Sequence, residues 1–402
     1  MRQTLICVLG VMISVAMFIT QSSMMAGFQD KFIIETVESG GHISIADEPR
    51  QTQTLILQRA VNTPDAVLVM EGVKPREEIK QIKNPTGLIR QLERFPHVIA
   101  AAPSVTGNAV ASYGTKTYAL QIIGVEPEQQ LRVTTIGDKV ISGSFDRLKK
   151  SANGIVLGRG IALNLGVNVD DSITLTSPTG TVVYGKVVGI FETGIVPVDY
   201  TRSYMLLSPA QSLLDKKNIV NEIILRLDDY NLAPQIATQI EGVVGYKTQA
   251  WQESNENFLK IFAIQKVITL FINAALMVVA AFGVLNIMVM AVMERVNDIA
   301  ILKSFGLSRG DITRVYLVQG VVIAVIGSSM GMAIGKVAIE VLRILPIELE
   351  GLVRSKGLLM SESVEQYVFA FIGSVVVVLL AAVYPARRAA KFDPVDVIRG
   401  AH

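Results

Sequence analysis

Glu294-Arg295-Val296-Asn297-Asp298-Ile299-Ala300-Ile301-Leu302-Lys303-Ser304-Phe305-Gly306-Leu307-Ser308 follows directly on Val267–Met293, an uncharged run long enough to cross a bilayer. The change at Glu294 is abrupt. Beyond it, apolar Ile299, Leu302 and Phe305 recur at three-residue spacing, as a helical stripe requires, charges flank the stripe, and Gly306 supplies a C-terminal stop. A membrane span that ends in an amphipathic helical foot offers a place where force can be applied. It also sets the fold to be expected, a polytopic membrane protein whose remaining length must be divided between further spans and a soluble domain.

Three more uncharged runs fit that frame: Leu5–Met25, Val315–Gly335 and Val368–Ala386. The first reads as a retained anchor, because it exceeds the roughly 7 to 15 apolar residues of a signal peptide and lacks an A-x-A cleavage site. Arg295, Lys303, Arg309 and Arg314 crowd the short connection between the second and third spans, and Arg387, Arg388, Lys391 and Arg399 follow the fourth. The positive-inside rule therefore places both segments and both termini in the cytoplasm. Lys336, Arg343, Arg354 and Lys356 oppose this, but they are diluted over a longer loop.

The expected fold class is membrane α+β, four transmembrane helices with a large α+β periplasmic domain inserted between helices 1 and 2. By residue, a first span within 1–27 leads to an outer domain of two lobes over 28–251. A stalk continuous with the second span occupies 252–293 and a coupling segment 294–314. The third span (315–335), a loop (336–366), the fourth span (367–386) and a tail (387–402) complete the chain. In the outer domain, β-branched runs at Asp65–Met70, Tyr118–Val125, Ser172–Thr176, Val182–Phe191 and Glu222–Leu227 read as strands between Gly, Pro, Asn and Asp turns. Helices are expected at Thr86–Phe95, Gly160–Leu165, Pro209–Asp215 and Ala233–Glu241. From Gln252 the helical pattern runs unbroken into the second span, giving a rod of about 60 Å, twice the hydrocarbon thickness.

Composition narrows the function. Half of the 402 residues are hydrophobic, 18% are charged and the net charge is +2, which gives no footing for nucleic acid. The single cysteine, Cys7, forms no intramolecular disulfide, and His42, His97 and His402 are too scattered for a zinc site. Gly331–Lys336 is one residue short of a phosphate loop and lacks the following Ser or Thr, and Gly158-Arg159-Gly160 lacks the third glycine of a dinucleotide loop. No cofactor is expected in this chain. Asp170-Asp171 and Asp228-Asp229 are the tight outer carboxylate pairs, and their place at strand ends reads as turn chemistry rather than acid/base catalysis. Gly327, Gly331 and Gly335, four residues apart, put a close-packing face on the third span, whether for this chain's own helices or for a second subunit.

Several segments together resemble a known family. Met25-Ala26-Gly27-Phe28-Gln29 with Gly41-His42-Ile43-Ser44-Ile45, Gly154–Arg159 through Leu163–Val167, Asp298–Gly306 with Gln319-Gly320, and Tyr384–Ala390 with Asp393-Pro394-Val395-Asp396 are similar in order to FtsX-like/MacB-type permeases of ABC transporters, most of all the lipoprotein-releasing LolC/LolE branch. The resemblance implies a bacterial inner-membrane dimer of four-span subunits, homo- or heterodimeric, resting on cytoplasmic ATPase subunits that carry the ATP and Mg. It implies coupling through Glu294, Arg295, Asp298, Ile299, Ile301, Leu302, Lys303, Phe305 and Gly306. For a lipoprotein substrate, Met24, Met25, Phe28, Phe258 and Phe262 are the candidates for an acyl-chain cavity. The alternative within the same family is an FtsX/MacB-like subunit that drives a periplasmic hydrolase or efflux adaptor without moving a substrate through the bilayer. This sequence departs from the LolC/LolE branch in reaching its first span almost at once, so that either its start is truncated or the usual basic stretch and surface helix are missing. It also makes a tight turn at Ser177-Pro178-Thr179-Gly180, where LolC carries a longer chaperone-binding hairpin.

Overall fold

The computed structural model describes residues 2–47, 81–345, 348–350 and 353–392. The strand expected at Asp65–Met70 and the tail beyond Phe392 lie outside them. In chain order the elements begin with α1 (Arg2–Gly40), β1 (Ile43–Ala46), α2 (Pro85–Leu92), β2 (Val98–Tyr113), β3 (Lys116–Val125), α3 (Pro127–Val133) and β4 (Val140–Gly143). They continue with β5 (Gly154–Gly158), α4 (Arg159–Leu165), β6 (Ser172–Thr176), β7 (Val182–Phe191), α5 (Val196–Thr201), β8 (Arg202–Leu206), α6 (Leu207–Leu213) and β9 (Glu222–Leu227). Then come α7 (Ala233–Val244), β10 (Lys247–Ala250), α8 (Trp251–Ser254), α9 (Glu256–Glu294), α10 (Val296–Ser304), α11 (Arg309–Ile344) and α12 (Val364–Lys391).

The chain divides into two compact units. One comprises Met1–Lys31, Asn257–Leu349 and Ser355–His402, the other Phe32–Glu256 with Glu350–Arg354. Among the described residues, α1, α9, α11 and α12 are long and apolar enough to cross a membrane. Val11, Val15 and Ile19 of α1, Val284 and Met288 of α9, Ile323 and Ala324 of α11, and Val378 and Ala382 of α12 share one buried cluster. The outward faces stay apolar, with Phe271, Val279 and Phe282 of α9 all well exposed, as lipid or a neighbouring subunit requires.

The other unit is built on one ten-stranded sheet in the order β10-β1-β9-β2-β3-β8-β5-β7-β4, with β6 pairing both β2 and β7. Two lobes are expected from the sequence; the strands form a single sheet, in which β2 is long enough to pair β9 through Val98–Ser104 and β6 through Val110–Ser112. Among the described residues, pairing is antiparallel except for β3 with β8 and β5 with β7. Near its centre the sheet is covered on both faces. Ile122, Ile155 and Leu157 face a core closed by Ile161 and Leu165 of α4 and Leu213 of α6, while Ile123, Val156, Val188 and Tyr204 face Phe145 and Leu148. Double burial explains why β3 and β5 read as continuous apolar runs rather than as alternating ones.

Two boundaries differ from the sequence expectation. Helix α1 continues past the first span to Gly40. The rod of the second span starts at Glu256 rather than Gln252, because Asn255 leaves the helical region and its amide donates 2.8 Å to the Trp251 carbonyl, ending α8. An asparagine that bonds the local backbone competes with helix continuation, a signal weaker than Gly or Pro. Trp251 is itself buried, its indole N–H donating to the Tyr230 carbonyl at 3.0 Å. At 39 residues α9 still measures about 58 Å.

Candidate functional site

The foot is a distinct helix. Arg295 breaks from α9 with φ −111° and ψ 19°, and α10 runs from Val296 to Ser304. Its end is a Schellman motif, with Gly306 at φ +98°, Gly306 N–H bonded to the Lys303 carbonyl at 3.0 Å and Leu307 N–H to the Leu302 carbonyl at 3.3 Å. Ser308 then opens α11 with a reciprocal capping box, its hydroxyl accepting from Asp311 N–H and the Asp311 carboxylate accepting from Ser308 N–H at 3.0 Å. Two helices are thereby joined by a tight, fully bonded corner.

The two faces of α10 do different work. Val296, Ile299 and Ala300 are buried, Ile299 in the helical core and Val296 and Ala300 against Phe392. Lys303, which the sequence groups with the exposed coupling residues, turns inward. Its ammonium donates to the carbonyl oxygens of Phe392 at 2.6 Å and Ala390 at 3.1 Å, capping the C-terminal end of α12. Ile301, Leu302 and Phe305 face outward at 52%, 43% and 82% exposure, and Glu294, Arg295 and Asp298 are exposed beside them. The apolar stripe is thus split, Ile299 anchoring the foot while Leu302 and Phe305, joined by Ile301, present an uncovered apolar surface.

The glycine row is an intrachain seam. A Cβ at Gly327 would stand 2.9 Å from Val11 Cβ, one at Gly331 2.7 Å from the Met12 carbonyl oxygen, and one at Gly335 3.3 Å from Ile19 Cβ. All three neighbours belong to α1, so the close approach is between α1 and α11. Phe28 and Phe262 meet edge to face with ring centroids 5.9 Å apart, and Phe262 is buried. Met24 is exposed, and Met25 and Phe258 are half-buried.

The acidic pairs in the sheet unit are engaged structurally. Asp170 takes Arg147 at 2.6 Å and Lys186 at 2.9 Å, bonds that hold its carboxyl below the usual range, and Asp171 accepts from Asn168 N–H. Asp228 faces His97 at 3.0 Å and Asp229 caps the turn at Asn231. These are turn and ion-pair roles.

A bundle of apolar helices with a capped helical foot, in a chain that also carries a covered α+β sheet unit, defines an integral-membrane subunit of the permease class. Residues 4–243 match the model of the MacB-like periplasmic core domain and residues 270–394 that of the FtsX-like permease C-terminal region. The chain belongs to the MacB/FtsX-type family of ABC transporter permeases. It is similar to the lipoprotein-releasing system transmembrane protein LolC of Neisseria meningitidis, 28% identical over 82% of this chain and 85% of that protein. It is also similar to LolC of Xylella fastidiosa, 26% identical over 98% of this chain and 92% of that protein. The macrolide export ATP-binding/permease protein MacB of a Shewanella species is 26% identical over 76% of this chain and 47% of that protein. With four apolar helices, these relatives indicate a bacterial inner-membrane protein.

Proposed function

We propose that the chain is the passive lever of an ABC transporter that frees lipid-anchored proteins from the inner membrane. Separate cytoplasmic ATPase subunits, holding ATP and Mg, would grip the foot and move α9, and the sheet unit, inserted between α1 and α9 on the periplasmic side, would receive the motion. Both termini are cytoplasmic in this reading, and a second permease subunit, identical or related, completes the dimer. The observation that carries it is the foot itself: Ile301, Leu302 and Phe305 are exposed on a helix whose other face is fixed by Ile299 and Lys303. Exposed apolar groups on a rigidly held element suit a protein partner. The relatives named as lipoprotein-releasing proteins support the cargo class. In this reading the acyl chains pass near Met24, Met25, Phe28 and Phe258, with Phe262 as packing behind them.

The test is to purify the intact complex from membranes and reconstitute it with a lipidated protein. ATP-dependent release, with photocrosslinks from Met24 or Phe258 to the cargo, is the expected result. A complex that hydrolyses ATP and binds a periplasmic adaptor or hydrolase, yet releases and crosslinks no lipoprotein, would instead favour mechanical signalling without substrate movement.

A further inference from the structure

Glu192 is gripped by two arginines that the sequence keeps far apart. Arg159, the first residue of α4, bonds both carboxylate oxygens at 2.7 and 2.8 Å, and Arg354, from the connection between α11 and α12, reaches Oε1 at 2.6 Å. The Glu192 and Arg354 side chains are only 18% and 15% exposed. Backbone contacts accompany the charges. Arg354 N–H donates to the Gly194 carbonyl at 2.6 Å, and Val353, itself buried, forms an antiparallel bridge with Ile195.

The platform under this contact is firmly built. The Asp199 carboxylate, fully buried, accepts from Thr193 N–H at 2.8 Å, the Thr193 hydroxyl at 2.7 Å and Gly194 N–H at 3.2 Å. Gly194 adopts φ +85°, a conformation that favours glycine. Burial pushes the Glu192 carboxyl up, but Arg354 and Arg159 outweigh it and hold it below the ordinary glutamate range. Glu350–Arg354 accordingly belongs to the same compact unit as the sheet, although the residues that flank it on both sides belong to the unit that holds the apolar helices.

We infer that Val353 and Arg354 form a fixed strap, a third attachment besides α1 and α9, through which the α11–α12 connection passes motion to the sheet unit. This rests on the lever reading proposed above. Partly buried ion pairs punish the loss of one partner more than exposed ones, because the remaining charge stays desolvated. Arg354 is the cleaner site to alter, since its removal leaves the Arg159–Glu192 pair intact, whereas neutralising Glu192 leaves two guanidiniums facing each other.

The experiment uses the full chain in its complex, with Cys7→Ser as background. Hydrogen exchange at the Val353–Arg354 amides should rise about tenfold or more in Arg354→Gln, with the Trp251 fluorescence of the fold unchanged. Release per ATP hydrolysed should fall several-fold. An Ile195→Cys, Val353→Cys pair, at the spacing an antiparallel bridge gives, should oxidise readily and remain active when oxidised, because a fixed strap need not open. Adding that disulfide to Arg354→Gln should restore release. Arrest of the oxidised pair would overturn a fixed strap in favour of one that must let go. Unchanged release in Arg354→Gln, beside a wild type that couples normally, would remove the strap alone. A wild-type complex with no ATP-linked work would overturn the lever reading and the strap with it.

Discussion

The Lys303 ammonium and the Phe392 carbonyl oxygen, 2.6 Å apart, tie the foot to the end of the last helix. One lysine at the C-terminal end of α12 satisfies carbonyls left open by the helix and meets the negative end of its dipole. In the lever reading proposed above, a push on α10 would therefore reach α12 as well as α9, from which the foot continues.

Replacing Lys303 by Met should cost about 1.5–3 kcal/mol of local stability, the usual worth of a hydrogen bond to a charged group. The expected result is faster hydrogen exchange across α10 and weaker coupling of ATP hydrolysis to release, with membrane insertion unaffected. Lys303→Arg should retain part of both. Equal exchange in Lys303→Met and wild type would show that the foot is held by its buried apolar residues Val296, Ile299 and Ala300 alone.

On the outer face, Ile301→Asp and Leu302→Asp introduce charge where the structure exposes apolar surface. Folding should tolerate both, because neither side chain is buried. ATPase subunits should co-purify less well, and transport should be lost while insertion persists. Phe305→Ala should give the mildest of the three defects, since it removes area without adding a charge. Unchanged transport in both Asp variants would refute the coupling assignment.

The four helices, their order, the glycine stop at Gly306 and the strands Ser172–Thr176, Val182–Phe191 and Glu222–Leu227 were legible because each depends on local pattern or on apolar length, whereas β8 (Arg202–Leu206) went unread between them. The division of the foot was not. Steps of three residues drift by about 60° around a helix, so Ile299 and Phe305 stand roughly 120° apart and cannot share one face. Val296, Ala300 and Lys303, at four- and three-residue steps, keep the inward face instead. The Glu192–Arg354 contact spans 162 residues and leaves no periodic trace. The glycine row announced close packing, but only the structure names α1 as its partner.

That seam makes a graded prediction. A methyl at Gly331 meets the Met12 carbonyl oxygen at 2.7 Å and Val15 Cβ at 2.8 Å, whereas one at Gly335 finds its neighbours at 3.3–3.4 Å. Gly331→Ala should destabilise by about 1–3 kcal/mol, as overpacking does, and Gly331→Val by more. Gly335→Ala should lie near wild type. Thermal unfolding in detergent would show the order, and equal effects at the two positions would argue against α1 as the surface they meet.

His42 offers a pH test of the sheet unit. It is 7% exposed, its Nδ1 accepts the Leu227 N–H at 3.1 Å, and burial, with Arg226 nearby, lowers its pKa to about 4 from the ordinary 6.5. The folded state thus prefers the neutral ring, so its contribution is fully present above pH 6.5 and is lost as pH falls toward 4. The shift corresponds to about 3 kcal/mol across that window. Asp199 and Glu222, both pushed up by burial, act in the opposite sense, so the comparison must be between variants. His42→Asn keeps an acceptor for Leu227 N–H but does not titrate. Trp251, the only tryptophan, meets Tyr230 edge to face, Tyr230 in turn meets His42 edge to face, and the Trp251 fluorescence follows unfolding at this site. Denaturant midpoints measured from pH 7 to pH 4 should fall more steeply for wild type than for His42→Asn. Parallel slopes would mean that the acid sensitivity of this unit arises elsewhere.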